Sequence, residues 1–166
     1  YTTNAGSFDN VTVNGNSLHV SGWHATVNSD DRPYQYIIAV DMNGNEMNRW
    51  NITDQGSHQS RGDVQKAYPW ITGSEQSGFT LNANNIDPNR YAYFKLIHRY
   101  TDDQAGNGNY VDYAQWIDRT NYQQRLTDAW RNIINSRVGH IGIAVKSQLT
   151  GQIYSYTNAP GYHGWT

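Results

Sequence analysis

At 166 residues, with Lys+Arg 12 against Asp+Glu 14, the chain is long enough for a domain with a real core and lacks the basic surplus that binds nucleic acid or anionic membranes. Cysteine is absent, which excludes disulfides, thiolate chemistry and Cys-based zinc sites together. Tyr 13, Trp 6 and Phe 3 outweigh a sparse complement of Leu and Met, favouring aromatic strands over Leu-rich helices, and no stretch approaches the roughly 18 consecutive apolar residues of a membrane span.

Tyr1 is preceded by no initiator Met or signal peptide, which reads as a processed or cut end. From Ser7 to about Asp118 the apolar residues alternate with period two between turn signals, the pattern of half-buried strands. Phe8, Val11 and Val13 lead into Asn14-Gly15-Asn16, a hairpin turn, and Leu18 and Val20 share one face of the return strand. Pro33 opens Tyr34 to Val40, apolar on both faces at its centre and therefore expected as a central strand. After the Asp41 to Asn45 turn, Met47, Trp50 and Ile52 are expected to be buried; Arg61 to Tyr68 fits a short helix stopped by Pro69.

Gly78 to Leu81 is a short strand and Asn85 to Asn89 a turn. Tyr91 to Tyr100 and Tyr110 to Ile117 are longer strands joined by an Asp/Asn/Gly loop. About seven strands at this spacing predict a mainly β fold, a two-sheet antiparallel β-sandwich over residues 1–118. At Thr120 the period changes: Tyr122, Leu126, Ala129, Trp130, Ile133 and Ile134 mark one face of an amphipathic helix over 121–136. Ile141, Ile143 and Val145, the Thr150-Gly151 turn and Ile153, Tyr154 and Tyr156 then predict a β-hairpin, so residues 119–166 are expected as a second unit. Its apolar surface, across 120–156, is expected to pack on the sandwich or on another copy of the chain, because a lone hairpin is marginal.

The run Gly139-His140-Ile141-Gly142-Ile143-Ala144-Val145, followed by Thr150-Gly151-Gln152-Ile153-Tyr154-Ser155-Tyr156, resembles the opening of serine β-lactamases and related penicillin-recognising hydrolases. In that family a Ser-x-x-Lys nucleophile follows shortly. No Ser here is followed three residues on by Lys, and neither S-D-N nor K-T-G occurs. The resemblance therefore implies the edge of an α/β serine hydrolase domain whose nucleophile lies beyond this chain, and no catalytic residue within it. "NGNSLHVSGWHA", "YIIAVD" and "HRYTDDQAGNGNYVDY" resemble an accessory module of extracellular proteins of lactobacilli and related bacteria, carried by wall-active or carbohydrate-active enzymes. That likeness implies a location at the Gram-positive cell surface or wall, with which the Cys-free, Asn/Gly/Ser/Thr/Tyr-rich composition is compatible.

Trp23, Tyr34, Tyr36, Trp50, Trp70, Tyr93, Tyr100, Tyr110, Tyr113 and Trp116 are either platforms on which the C–H face of a sugar stacks or the core and cross-strand pairs of the sandwich. Trp70, in the loop after Pro69, is the one expected to be exposed. The loop Thr101 to Asp112 gathers Asp and Asn oxygens that suit calcium, but no Glu stands at the twelfth position and a solvated hairpin loop explains it as well. The ligand-binding set expected from these features is Trp23, Trp70, Tyr100, Asp102, Asp103, Asn107 and Tyr110.

No cofactor is implied and no metal is assigned. His19 and His24 fall on opposite faces of one strand, and His98, His140 and His163 lack ligand-spaced companions. Arg61-Gly62-Asp63 spells an adhesion tripeptide but also reads as an ordinary polar turn. Glycoside hydrolysis would have to draw on Asp41, Asp102, Asp103 or Asp112, since Glu is scarce. The expected function is a non-catalytic surface module that binds wall glycan, peptidoglycan or another surface polymer. The alternatives are a fragment of a β-lactamase-like hydrolase acting on β-lactams or peptidoglycan peptides, and a purely structural spacer.

Overall fold

Asn14 and Ser17 face each other across the Gly15-Asn16 turn, and Gly15 takes φ 62, a left-handed value that a side chain would resist. This turn joins β1 (Asn4–Asn14) to β2 (Ser17–Thr26) in the computed structural model, which describes residues 1–120 and 129–134. β3 (Tyr34–Val40) and β4 (Glu46–Asn51) form the next hairpin, and α1 (Gly62–Ala67) follows as the short helix expected before Pro69. β5 (Gly78–Ala83), β6 (Tyr93–Thr101) and β7 (Tyr110–Asp118) complete the strands.

The strands form two antiparallel sheets, β1-β2-β5 and β4-β3-β6-β7, as the alternation predicts. The two longest pairings in sequence, β2 with β5 and β3 with β6, hold the middle of each sheet. β3 lies between β4 and β6, which is why it is apolar on both faces: Ile37 and Ala39 enter the core between the sheets, while Tyr36, Ile38 and Val40 form a second cluster with Ile97 on the other face. Such a strand has no polar phase because neither face meets bulk water.

The core joins Leu18 and Val20 of β2, Phe79 and Leu81 of β5, Ile37 of β3 and Phe94, Leu96 and Ile117 of β6 and β7. Phe8 meets Phe79 edge-on, with ring centres 5.4 Å apart, the arrangement that sets a ring's positive edge against a negative face. Each such side chain contributes about 1.5–3 kcal/mol by leaving water. Ile52 is buried as expected, while Met47 and Trp50 are half-buried against the same core.

α1 covers the outer face of β2. Val64 and Ile71 are buried there on Ala25, with Trp23 and Tyr68 at the margin. At the other side the sandwich closes through β1 and β7: Gln115 Oε1 accepts from the Phe8 amide at 3.1 Å and from the Tyr113 hydroxyl at 2.9 Å. Asn4 Nδ2 donates to the Asp112 carbonyl at 3.0 Å. Residues 129–134 are helical, within the helix expected over 121–136. The expected hairpin of 139–156, the likeness to serine hydrolases and most of the self-association surface lie outside the described residues.

Candidate functional site

Two sheets that pack face to face leave gaps where their edge strands part. β4 and β5 are edge strands on the same side of the sandwich, and the chain from Ile52 to Gln59 crosses between them. Ile52 N donates to the Gln35 carbonyl, Thr80 N to the Gly56 carbonyl, and Gln59 and Gly78 exchange amide bonds at 2.9 and 3.0 Å. Above this crossing runs a groove of about 570 Å³. Trp50 gives it an aromatic wall, and Asn51, Gln55, Gln59, Thr80 and Asn82 line it with amides and a hydroxyl. Thr80 Oγ1 already donates to Gln59 Oε1 at 2.8 Å, which orients that amide. Arg49 stands at one end but is occupied, forked onto Glu46 at 2.8 and 3.1 Å and donating to the Ala105 carbonyl at 2.9 Å. The groove therefore offers neutral donors and acceptors beside one half-buried indole.

A second polar centre lies between the sheets. His24 Nδ1 and His98 Nδ1 are 2.8 Å apart, and both rings are fully buried. His24 Nε2 reaches Asn4 Oδ1 at 2.6 Å, His98 Nε2 reaches the Gln35 amide at 2.9 Å, and the far side of that amide lies 3.4 Å from His58 Nε2. Phe79 stacks on His98 with ring centres 4.4 Å apart, and the Tyr100 hydroxyl donates to the His24 carbonyl at 2.6 Å. Burial pushes the His24 ring down to about 3 from 6.5. His98 is also held well below its ordinary value, by burial first and then by the neighbouring His24 and His58. Both rings are neutral at physiological pH, because the apolar surroundings disfavour a charge.

This chain of groups opens on a cavity of about 340 Å³ at the end of the sandwich, where Gln35, His58, Arg32, Gln76, Ser29 and Asp30 meet. His58 has φ 57, a left-handed backbone that is uncommon for a residue with a side chain, although histidine takes it more readily than most.

The residues expected from sequence are distributed differently. Trp70 is 43% exposed, as expected, but its ring is flanked by Tyr1 and Tyr68 at 5.0 and 5.8 Å, and its Nε1 donates to the Thr2 carbonyl at 2.7 Å. Trp23 joins the same patch through Tyr68 at 5.6 Å. Tyr100 is 6% exposed and faces the histidine pair, so its ring presents no surface platform; it shares the inward phase of its strand with Leu96 and His98. Tyr110 is exposed, with one face capped by the Arg99 guanidinium at 3.6 Å from its centre.

Asp102, Asp103 and Asn107 do come together, but their oxygens serve the loop itself. Asp102 accepts from the Asn109 amide and side chain at 3.0 and 2.9 Å, and these bonds hold its carboxyl below the usual range. Asp103 accepts from Ala105 and Asn107 amides at 3.2 and 3.1 Å, and Thr101 Oγ1 donates to the Asn107 carbonyl. Gly106, at φ 91, allows Arg49 and Tyr36 to pass where a Cβ would lie 2.7 and 3.1 Å from them. No group of three or more metal-ligating side chains forms among the described residues.

Arg61 forks onto Asp63 at 2.9 and 2.8 Å and reaches Asp9 at 3.0 Å, so the tripeptide's two charges neutralise each other. Asp41 caps its own turn by accepting from Asn43 and Asn45, each at 2.9 Å, and Asp112 is forked by Arg99 at 2.8 and 2.9 Å. These carboxylates hold turns and ion pairs. No helix among the described residues is long and apolar enough to cross a membrane. No family model, curated protein or solved structure matches this chain.

Proposed function

We propose that this chain is a non-catalytic module of the Gram-positive cell surface that binds wall glycan or a related surface polymer along the groove between β4 and β5. The observation that carries the reading is the lining of that groove. A neutral row of Asn, Gln and Thr beside the half-buried Trp50 matches a sugar chain, whose hydroxyls both donate and accept while its C–H faces prefer an aromatic wall. The resemblance of residues 1–118 to accessory modules of lactobacilli supports the location, and that of the C-terminal segment supports fusion to a serine hydrolase domain.

Purified cell walls and soluble wall polysaccharide test this. The full chain is expected to sediment with walls and to be retarded in gels containing the polymer. Gln55→Ala and Asn82→Ala, both exposed and outside the core, are expected to weaken retardation several-fold, and Trp50→Ala more so. Retardation that survives all three substitutions, or no binding to any wall preparation, overturns the reading.

A further inference from the structure

The buried histidine chain contains three hydrogen-bond contacts but only two protons. Asn4 Nδ2 donates to the Asp112 carbonyl, so Asn4 Oδ1 must accept, and His24 carries its proton on Nε2. Gln35 Oε1 is placed 2.9 Å from His98 Nε2, and in that orientation this ring would also carry its proton on Nε2. Two bare Nδ1 lone pairs would then oppose each other at 2.8 Å. A third proton would repair the contact only by leaving an unpaired cation in the core, which burial disfavours.

Turning the Gln35 amide over repairs the contact without altering its shape. Gln35 Nε2 then donates to His98 Nε2, His98 Nδ1 donates to His24 Nδ1, and both rings stay neutral. In this arrangement the Gln35 carbonyl oxygen looks outward, toward His58 and the end cavity.

That orientation sets what the cavity can hold. The Gln35 oxygen and the Asp30 carboxylate call for donors. Arg32 gives its Nη1 to Asp31 and to the Asn28 carbonyl, and its Nε is shut off from solvent and so from the cavity; Ser29 and Gln76 line the cavity with groups that both donate and accept. Arg32 is neutralised by Asp31 at 2.6 Å, so Asp30 leaves the cavity with a negative charge that repels a carboxylate, while Pro33 and Tyr100 supply apolar wall. A carboxylate offers acceptors alone and would confront both oxygens. A hydroxyl offers donor and acceptor together.

We infer that the end cavity is a second binding site, for a neutral, hydroxyl-rich ligand of one or two sugar rings, with Gln35 and Asp30 accepting from the ligand and Ser29 and Gln76 donating to it. The choice of sugars among polyols rests on the glycan-binding reading above. The cavity itself is separate from the groove: it is bounded by Gln35 and Tyr100, whereas Trp50 and Asn82 line the other site.

The test uses the full chain, labelled with 15N, and the methyl glycosides of glucose, galactose and N-acetylglucosamine at millimolar concentration, with acetate as the carboxylate control. At least one glycoside is expected to move the Gln35 side-chain amide and His58 ring resonances saturably, and acetate to move neither. His58→Gly keeps the left-handed backbone, and Gln76→Ala removes an exposed partner; each is expected to weaken the response several-fold, while Asn82→Ala leaves it unchanged. No saturable shift with any glycoside, or saturation by acetate instead, overturns the inference. Glycoside shifts without polymer retardation would sink the groove reading and leave the cavity standing; retardation without glycoside shifts would do the reverse.

Discussion

His24 and His98 meet edge to face at 89° with their Nδ1 atoms 2.8 Å apart, one from each sheet. The groups facing them are Asn4 of β1, Gln35 of β3, Phe79 of β5, Tyr100 of β6, Tyr113 of β7 and His58 of the crossing chain. None is a carboxylate, so neither ring gains a counter-ion on protonation. The unfolded chain takes up protons as pH falls through 6.5, while folded His24 does so only near 3.

Stability is therefore whole above pH 6.5 and is lost progressively between 6.5 and 3 by about 1.4 kcal/mol per pH unit on account of His24, and His98, also held well below its ordinary value, adds to the loss in the same direction. Urea melts across this range should show the slope, and His24→Leu combined with His98→Leu should flatten it. Asp63, held at about 2 by its bonds to Arg61, acts only below its unfolded value of 3.8, so it contributes nothing to the slope above that pH. A stability constant down to pH 4 would refute the neutral pair.

Arg99 ties the loop between β6 and β7 to its base. Its fork onto Asp112 is largely withdrawn from water, and Nη1 donates to the Gly106 carbonyl at 2.8 Å. Asp112→Asn keeps the shape and removes the charge. It should cost about 1–3 kcal/mol, between an exposed and a fully buried pair, read as a shift in denaturation midpoint with unchanged m-value.

Trp70→Ala should loosen the N-terminal residues more than it weakens the domain. Its Nε1 bond to Thr2 and its contact with Tyr1 hold that segment, so aminopeptidase should trim the variant faster while overall stability falls by about 1 kcal/mol. Wall binding through the groove should be unchanged. A loss as large as that of Trp50→Ala would move the binding surface to the Trp23–Tyr68–Trp70 patch.

Calcium should leave the melting temperature unchanged, and so should its chelation. The Asp102 and Asp103 oxygens already accept from amides of their own loop, and a cation needing six to eight oxygens would have to break those bonds. A calcium-dependent rise in melting temperature would show that the loop reorganises.

The alternation of Leu18 with Val20 and the two-faced apolarity of Tyr34 to Val40 made β2 and β3 legible, because burial writes itself into strand phase. Which strands pair across long intervals was not legible: nothing in the residues of β5 names β2 as its neighbour. Treating histidines as ligands by local spacing hid the pair that matters. The available signal was phase: His24 lies on the side of Leu18 and Val20, His98 on that of Phe94 and Leu96. A histidine on an inward phase needs a buried partner, and the opposite sheet was the place to seek it. Tyr100 follows the same rule. The groove was hidden for another reason, since the parting of β4 from β5 depends on how whole sheets sit together.

The interleaving of the two sheets also governs how the chain must assemble. β3 and β4 intervene between β2 and its partner β5, and β5 intervenes between β3 and its partner β6. Each layer thus waits on a segment that follows an excursion into the other, and both closures spend loop entropy before any contact rewards it. Neither layer can mature alone. A ribosome would have to release the chain through Ala83 before the first hairpin found its lasting neighbour and through Thr101 before the second did, so refolding should be a single slow event, on the millisecond-to-second scale of non-local β topologies.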